Sequence, residues 1–321
     1  MKKLIIWTII IGGVAYAGSK FYLHREVEKS VDTAILMMSP LATIEYGGIS
    51  STMSGELTID DIHAKIAGFK DEIVIDRLGI DTPSYFSLLE LGEMARNPGA
   101  QSGGLPRDFG FIIEGIRAPV EADYAKMIYA KRLEMLGVSD AGEAANECVG
   151  KYGFSPTALK SMGYIEEVVS MSITARNGDG DFVLEIVSTA EDMWKIEASL
   201  AMAGDLVTEI TKGRGYVPKM RHFNASVTDL SLNRRVEKYC ASRGLSPEET
   251  MTARMDAFKF IGESNGIVFD EYLLEPYQQF LAGEPKITFT AAPNQPISLS
   301  QIDLYKPSDV PALLNLSASI P

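Results

Sequence analysis

Acid–base and metal chemistry begin with histidine, and this chain holds only three: His24, His63 and His222. His63 has the most suggestive neighbours. In "DDIHAK", Asp60 and Asp61 stand just before it, which is half of a metal site or the kernel of a metal-dependent hydrolase. Strand alternation puts Asp61 and His63 on one face and Asp60 on the other, so a turn or an exposed edge accounts for the grouping. His222 alternates with Arg221 and Phe223 in a strand and has no partner nearby in sequence. His24 follows an apolar stretch and reads as an interfacial residue.

The "NGDGD" run from Asn177 to Asp181 crowds oxygen ligands, but it lacks the length and closing glutamate of an EF-hand loop. Asn-Gly and Asp-Gly are hairpin residues, so a plain turn is expected. The "GRG" at 213–215 is too short to cradle phosphate. No GxSxG, HExxH, Walker or dinucleotide-binding fingerprint occurs. Glu166-Glu167 reads as a strand edge, and Glu248-Glu249 as a helix's first turn. Asn224 and Asn315 open sequons in form only. The expectation is a non-enzymatic protein with no catalytic, cofactor-binding or metal-binding residues and no cofactor.

The elements that would carry these residues follow from pattern. Residues 4–19 contain no charge, and Lys20 could snorkel so that Phe21, Tyr22 and Leu23 lengthen the apolar run to about twenty residues, enough to span a bilayer. Lys2 and Lys3 then lie on the inner side. The preferred reading is an N-in, C-out anchor over 1–23, a single pass of the inner membrane with the body in the periplasm. A leader cleaved after Ala17 remains open. Val27, Val31, Ile35 and Met38 recur at helical spacing, which suggests a stalk helix over 24–40.

Beyond Pro40 the period changes to two. Ile44, Tyr46, Met53, Gly55, Leu57 and Ile59 alternate, with Gly47-Gly48 marking a bulge or turn. "DEIVIDRLGIDTP" and "RDFGFIIEGIRAP" add strands, and "SYFSLLELGEMARN" a short helix. Residues 120–162 read as three helical pieces, separated by "GVSD" and "GFSP"; "GLSPEE" at Gly244 repeats the corner. In each, glycine closes one helix in a left-handed conformation and serine caps the next. A meander follows, with Val169, Met171, Ile173 and Ala175, then Phe182, Leu184 and Ile186, then Trp194, Ile196, Ala198, Leu200 and Met202 on one apolar face. "KMRHFNASVTDLSL" adds a strand, helices run from about Leu232 to Ala282, and the end reads strand, turn, strand, short helix, strand. "IDTPSYFSLLEL" from Ile80 echoes "IDLYKPSDVPALLNL" from Ile302, so two related modules, 41–162 and 163–321, are expected. The class is α+β: an N-terminal transmembrane helix, then antiparallel curved sheets with interleaved helical segments.

The formal net charge is −13, which argues against nucleic acid as a partner. The two cysteines, Cys148 and Cys240, fit buried free thiols better than a disulfide, although an extracytoplasmic body would allow them to pair. Met127, Met135, Met162, Met171, Met193, Met202 and Met255 fall on faces expected to be apolar. They read as core, with a lipid or acyl-chain groove as the alternative.

The anchor followed by "IEYGGISSTMSGELTIDDI" and "DEIVIDRLGIDTP" resembles the start of AsmA-like and YdgA-type envelope proteins of Gram-negative bacteria. "NRRVEKYCASRGLSPEE" through "FLAGEPKITFTAAPNQPISL" is similar to the C-terminal part of the YdgA type. The resemblance implies a periplasmic, β-rich body tied to the inner membrane through residues 4–23. Its expected role is cell-envelope organisation or handling of lipid or another apolar ligand. The alternative is a scaffold or assembly subunit that meets another envelope protein.

Overall fold

The computed structural model describes residues 24–29, 31–33, 35–88, 90, 108–138, 144–178, 180–204, 219–298, 302 and 304–321. Its frame is a single antiparallel sheet of eleven strands. These are β1 (Ala42–Ser51), β2 (Glu56–Ile66), β3 (Glu72–Asp81), β4 (Asp108–Pro119), β5 (Glu166–Asn177), β6 (Asp181–Ala190), β7 (Trp194–Ala203), β8 (Lys219–Asp229), β9 (Lys286–Ala291), β10 (Ile297–Ser298) and β11 (Leu316–Ser319). Strands β1 to β9 pair in chain order, β11 joins β9, and β10 pairs with β8.

The longer helices that follow β1 fall in two groups. Between β4 and β5 lie α1 (Asp123–Met135), α2 (Ala144–Val149) and α3 (Pro156–Ser161). Between β8 and β9 lie α4 (Leu232–Ser242), α5 (Pro247–Ser264) and α6 (Glu271–Leu281), and α7 (Val310–Leu313) precedes β11. The corners are those the residues predict. Gly153 and Gly244 take positive φ, 89° and 90°. Ser155 accepts the Ala158 N–H, and Ser246 and Glu249 form a reciprocal capping box. The "GVSD" corner is described only through Val138, after Gly137 at φ 67°.

Register lines up the apolar residues across the sheet. Directly opposed residues of antiparallel strands project to one face. One row therefore runs Leu57, Ile80, Phe111, Ile173, Ile186, Ala198, Ala225, Phe289 from β2 to β9. A second runs Ile49, Ile59, Leu78, Ile113, Met171, Ser188, Ile196, Val227, Ile287, broken only by the serine. The opposite face carries Ser172, Thr174, Glu185, Lys195, Glu197 and Asn224. One side is apolar and the other wet, as the meander's alternation predicts.

Strands β1 to β4 share an irregularity at one level. On the apolar face Ile49 is followed by Tyr46, Ile59 by Ile62, Leu78 by Ile75 and Ile113 by Ile116, three residues apart instead of two. Each strand thus holds one extra residue: Gly47, Asp61, Asp76 and Gly115 drop out of the ladders together. Because all four slip alike, their mutual register survives. The shift appears only against regular β5, between Ile113 and Ile116. Asp61 and Gly115 take positive φ, 56° and 62°, and the Gly115 N–H donates to Ser170 Oγ at 3.0 Å. Such bulges bend a strand and sharpen its twist.

The expected fold class is corrected. Among the described residues no helix is long and apolar enough to cross a membrane; the stretch 4–23 and the cleavage site after Ala17 lie outside them. The described architecture is an eleven-strand antiparallel sheet with helices. The stretches 41–162 and 163–321 join in one sheet, in which β4 and β5 pair from Asp108↔Arg176 to Pro119↔Glu166. Helices from both halves also share one core, in which Val120, Cys148, Ala158, Met162, Tyr164, Val236, Tyr239 and Cys240 pack together. The internal echo holds for its helical halves only: Ile80 ends β3, whereas Ile302 lies in a 3₁₀ turn.

Smaller corrections follow. The alternating stretch from Ile44 to Ile59 is two strands with a hairpin at Thr52–Gly55, where the Thr52 N–H donates to the Glu56 carbonyl at 2.9 Å; Gly47-Gly48 is the bulge. The helical residues between 24 and 38 dock on the sheet. Val27 packs against the cluster of Leu57, Tyr85 and Leu88, and Tyr46 donates to Asp32 at 2.9 Å.

Cys148 and Cys240 form a disulfide between α2 and α4, with both residues at 0% exposure. The free-thiol reading fails because it weighed sequence separation, 92 residues, and not the packing of the two helical insertions. Of the seven methionines expected on apolar faces, Met162, Met193 and Met202 are buried, while Met135 is 82% exposed and Met127 40%; α1 packs Tyr124 inward instead.

Candidate apolar ligand site

Between the apolar sheet face and helices α4 to α6 lies a cavity of about 330 Å³, at the low end of the ~300–1,000 Å³ of small-molecule sites. Its floor comes from three strands: Trp194 and Ile196 on β7, Val227 and Asp229 on β8, Ile287 and Phe289 on β9. Register explains the grouping, since Ile196, Val227 and Ile287 are successive members of the second apolar row. The roof is set by helical spacing. On α4, Leu232, Val236, Tyr239 and Cys240 recur at three- and four-residue steps, the signature of an inward stripe; Leu232 and Val236 reach the cavity. On α5, Arg254, Ala257, Phe258 and Ile261 line it, and α6 adds Tyr277 and Phe280. Val149, Gly150 and Phe154 close one side, beside the disulfide.

The aromatic side is a stack. Phe258 lies 3.9 Å from Tyr277 and 4.6 Å from Phe269 between ring centroids, at 18° and 14°. Burial raises the Tyr277 hydroxyl pKa, with the Arg254 charge opposing it.

Three polar groups interrupt the lining: Asp229, Asn233 and Arg254. They are linked. The backbone N–H of Asn233 donates to Asp229 Oδ1 at 2.9 Å, and its side-chain Nδ2 donates to the Phe280 carbonyl at 3.3 Å. That second bond orients the amide so that Oδ1 faces Arg254 and accepts from its Nη2. Burial lowers the Arg254 pKa; Tyr277, Glu237 and Asp229 oppose that shift from a distance. Among the described residues no carboxylate lies within ion-pair reach of this guanidinium. The arrangement can hold a chain-like apolar molecule with one polar end.

The residues singled out in sequence are not in this cavity. His63 lies on β2, between Asp61 Oδ1 and Glu72 Oε1, each 3.2 Å from a ring nitrogen. The hydrogen bond that the ring makes to the Asp61 carboxylate raises its pKa foremost, and Glu72 adds to it. The grouping sits at the bulge of an interior strand, not at a turn or edge, and Asp60 pairs with Arg77 at 2.8 Å. Among the described residues no three His, Cys, Asp or Glu side chains converge as a metal site. His222 is exposed on the polar face, opposite Ala201, and His24 is half-buried in the N-terminal helix. "NGDGD" is the β5–β6 hairpin, closed by the Gly178 N–H on the Asp181 carbonyl at 2.8 Å. The "GRG" lies outside the described residues.

Sequence reasoning missed Arg254 and Asn233. A signal existed: Arg254 occupies the stripe of Met251, Met255, Phe258 and Ile261, where a charge is out of place.

A family model described as "Uncharacterized protein" matches residues 169–320, which span β5 to β11 and hold the cavity's floor and its α4–α6 roof. No curated protein matches the chain.

Proposed function

We propose that the protein is a non-enzymatic binding body of the cell envelope that takes up an apolar ligand between its sheet and its helices. The observation that carries this reading is the cavity of about 330 Å³, walled by successive apolar rows and an aromatic stack. A well-packed core leaves few voids larger than a water molecule, so unfilled apolar space of this size fits a ligand. The disulfide supports an extracytoplasmic setting, since such bonds persist in oxidising compartments and are rare in the cytosol. The resemblance of both chain ends to AsmA-like and YdgA-type proteins agrees with that setting.

A neutral probe that fluoresces in apolar surroundings, N-phenylnaphthylamine, tests the reading. Saturable binding to the full chain is expected. Ala257→Phe, which fills the cavity from α5, should weaken binding by about tenfold or more, a loss of ~1.4 kcal/mol. Binding that ignores this substitution would remove the cavity from the account. A scaffold role would then take its place, favoured by the exposed apolar side chains Ile128, Met135 and Leu136 at α1 and Leu36, Met37 and Leu41 before β1.

A further inference from the structure

Arginine stays protonated in proteins, so the desolvation of Arg254 is not relieved by loss of its charge. A guanidinium has five N–H donors, yet among the described residues the one acceptor it meets is Asn233 Oδ1. The charged groups of its surroundings are few. Asp229 lines the same cavity but spends Oδ1 on the Asn233 backbone, and Glu237 acts only at longer range. Arg254 is half-buried, and a charge drawn partly out of water without an anionic partner is costly. Here it is held in place by an amide that is itself held by the Phe280 carbonyl, with donors left over inside an otherwise greasy chamber.

Resting on the reading above, we propose that the ligand is a single-chain alkyl carboxylate, its chain in the apolar cavity and its carboxylate paired with Arg254. Three features select this occupant. A carboxylate accepts from the guanidinium's fork in the bidentate manner that Arg favours. Phe258, Ile196, Val227 and Ile287 offer the tail only hydrocarbon contact. At the ~30 Å³ that a water molecule occupies, 330 Å³ holds roughly ten chain atoms, which suits one chain of medium length and excludes a two-chain phospholipid.

The test compares decanoate with decanol, which share a chain and differ in the head, by titration calorimetry on the full chain below micellar concentrations. Decanoate should bind about tenfold more tightly or better, the scale of one charge-assisted pair. Arg254→Gln should abolish that difference while decanol affinity holds, and Arg254→Lys should restore part of it. Equal affinities for acid and alcohol in the wild-type protein would overturn the head-group assignment and leave the apolar-cavity reading standing. Binding of neither compound would overturn both. A melting curve of Arg254→Gln shows whether the variant is folded, and the acid–alcohol comparison in the unaltered protein needs no variant.

Discussion

Single side chains in this protein are tuned by the face on which they sit. Glu167 shows it most plainly. In β5 it stands two residues from Val169, on the apolar side, opposite Ala118. Burial alone raises its pKa above the ordinary 4.5, and it lies close enough to Tyr124 to act on that buried phenol. The sign follows directly. A folded state that holds a proton more tightly than the unfolded one loses stability as pH rises from about 4.5 through the folded value. Glu167→Gln should therefore melt with the wild-type protein in acid and above it at pH 7. A gap that stays constant across thermal melts at several pH values would show that ionisation is not the cause.

At the scale of elements, the shared bulge of β1 to β4 is the feature that regular alternation does not produce. Its four residues accommodate it in different ways. Gly115 supplies the left-handed conformation at no steric cost, and its missing side chain matters as well, since a Cβ there would lie 2.1 Å from Asp76 Oδ2. Gly47 lacks the strained φ, but a Cβ would still come within 2.9 Å of the Asp61 Cβ. Around the level of the bulge, Arg77 pairs with Asp60 and Glu114, and Arg117 with Asp76 at 2.6 Å. These pairs are exposed and worth little individually. Gly115→Ala should cost ~1–2 kcal/mol from the left-handed backbone alone and more from the clash, read as a lower denaturant midpoint. An unchanged midpoint would mean that the bulge relaxes freely.

For the whole molecule, the disulfide is the tie that matters. It joins helices inserted at opposite ends of the β5–β8 meander, and it borders the cavity through the neighbouring Val149 and Gly150. Closing a loop of 92 residues restricts the unfolded chain, and removing a native bridge typically costs ~2–5 kcal/mol. The paired variant Cys148→Ser/Cys240→Ser should lose stability on that scale in chemical denaturation. Thiol blocking at the moment of lysis should find no free cysteine in protein taken from its native compartment. Free thiols there would contradict the extracytoplasmic setting.

The chain's own pattern carried much of this. Period-two spacing placed β3 to β8 and chose the face that Ile173, Ile186 and Ala198 share, because alternation is a local property of extended backbone. The capping residues Ser155, Ser246 and Glu249, and the glycines that close helices, announced the corners for the same reason. What only tertiary structure decided is everything that depends on who meets whom. The pairing of Cys148 with Cys240 needed two distant helical insertions to share a core. The joining of both halves in one sheet needed the β4–β5 ladder. The cavity with Arg254 at its polar corner needed strands and helices brought together, since a lone arginine among apolar helix positions gains its meaning from what surrounds it in space.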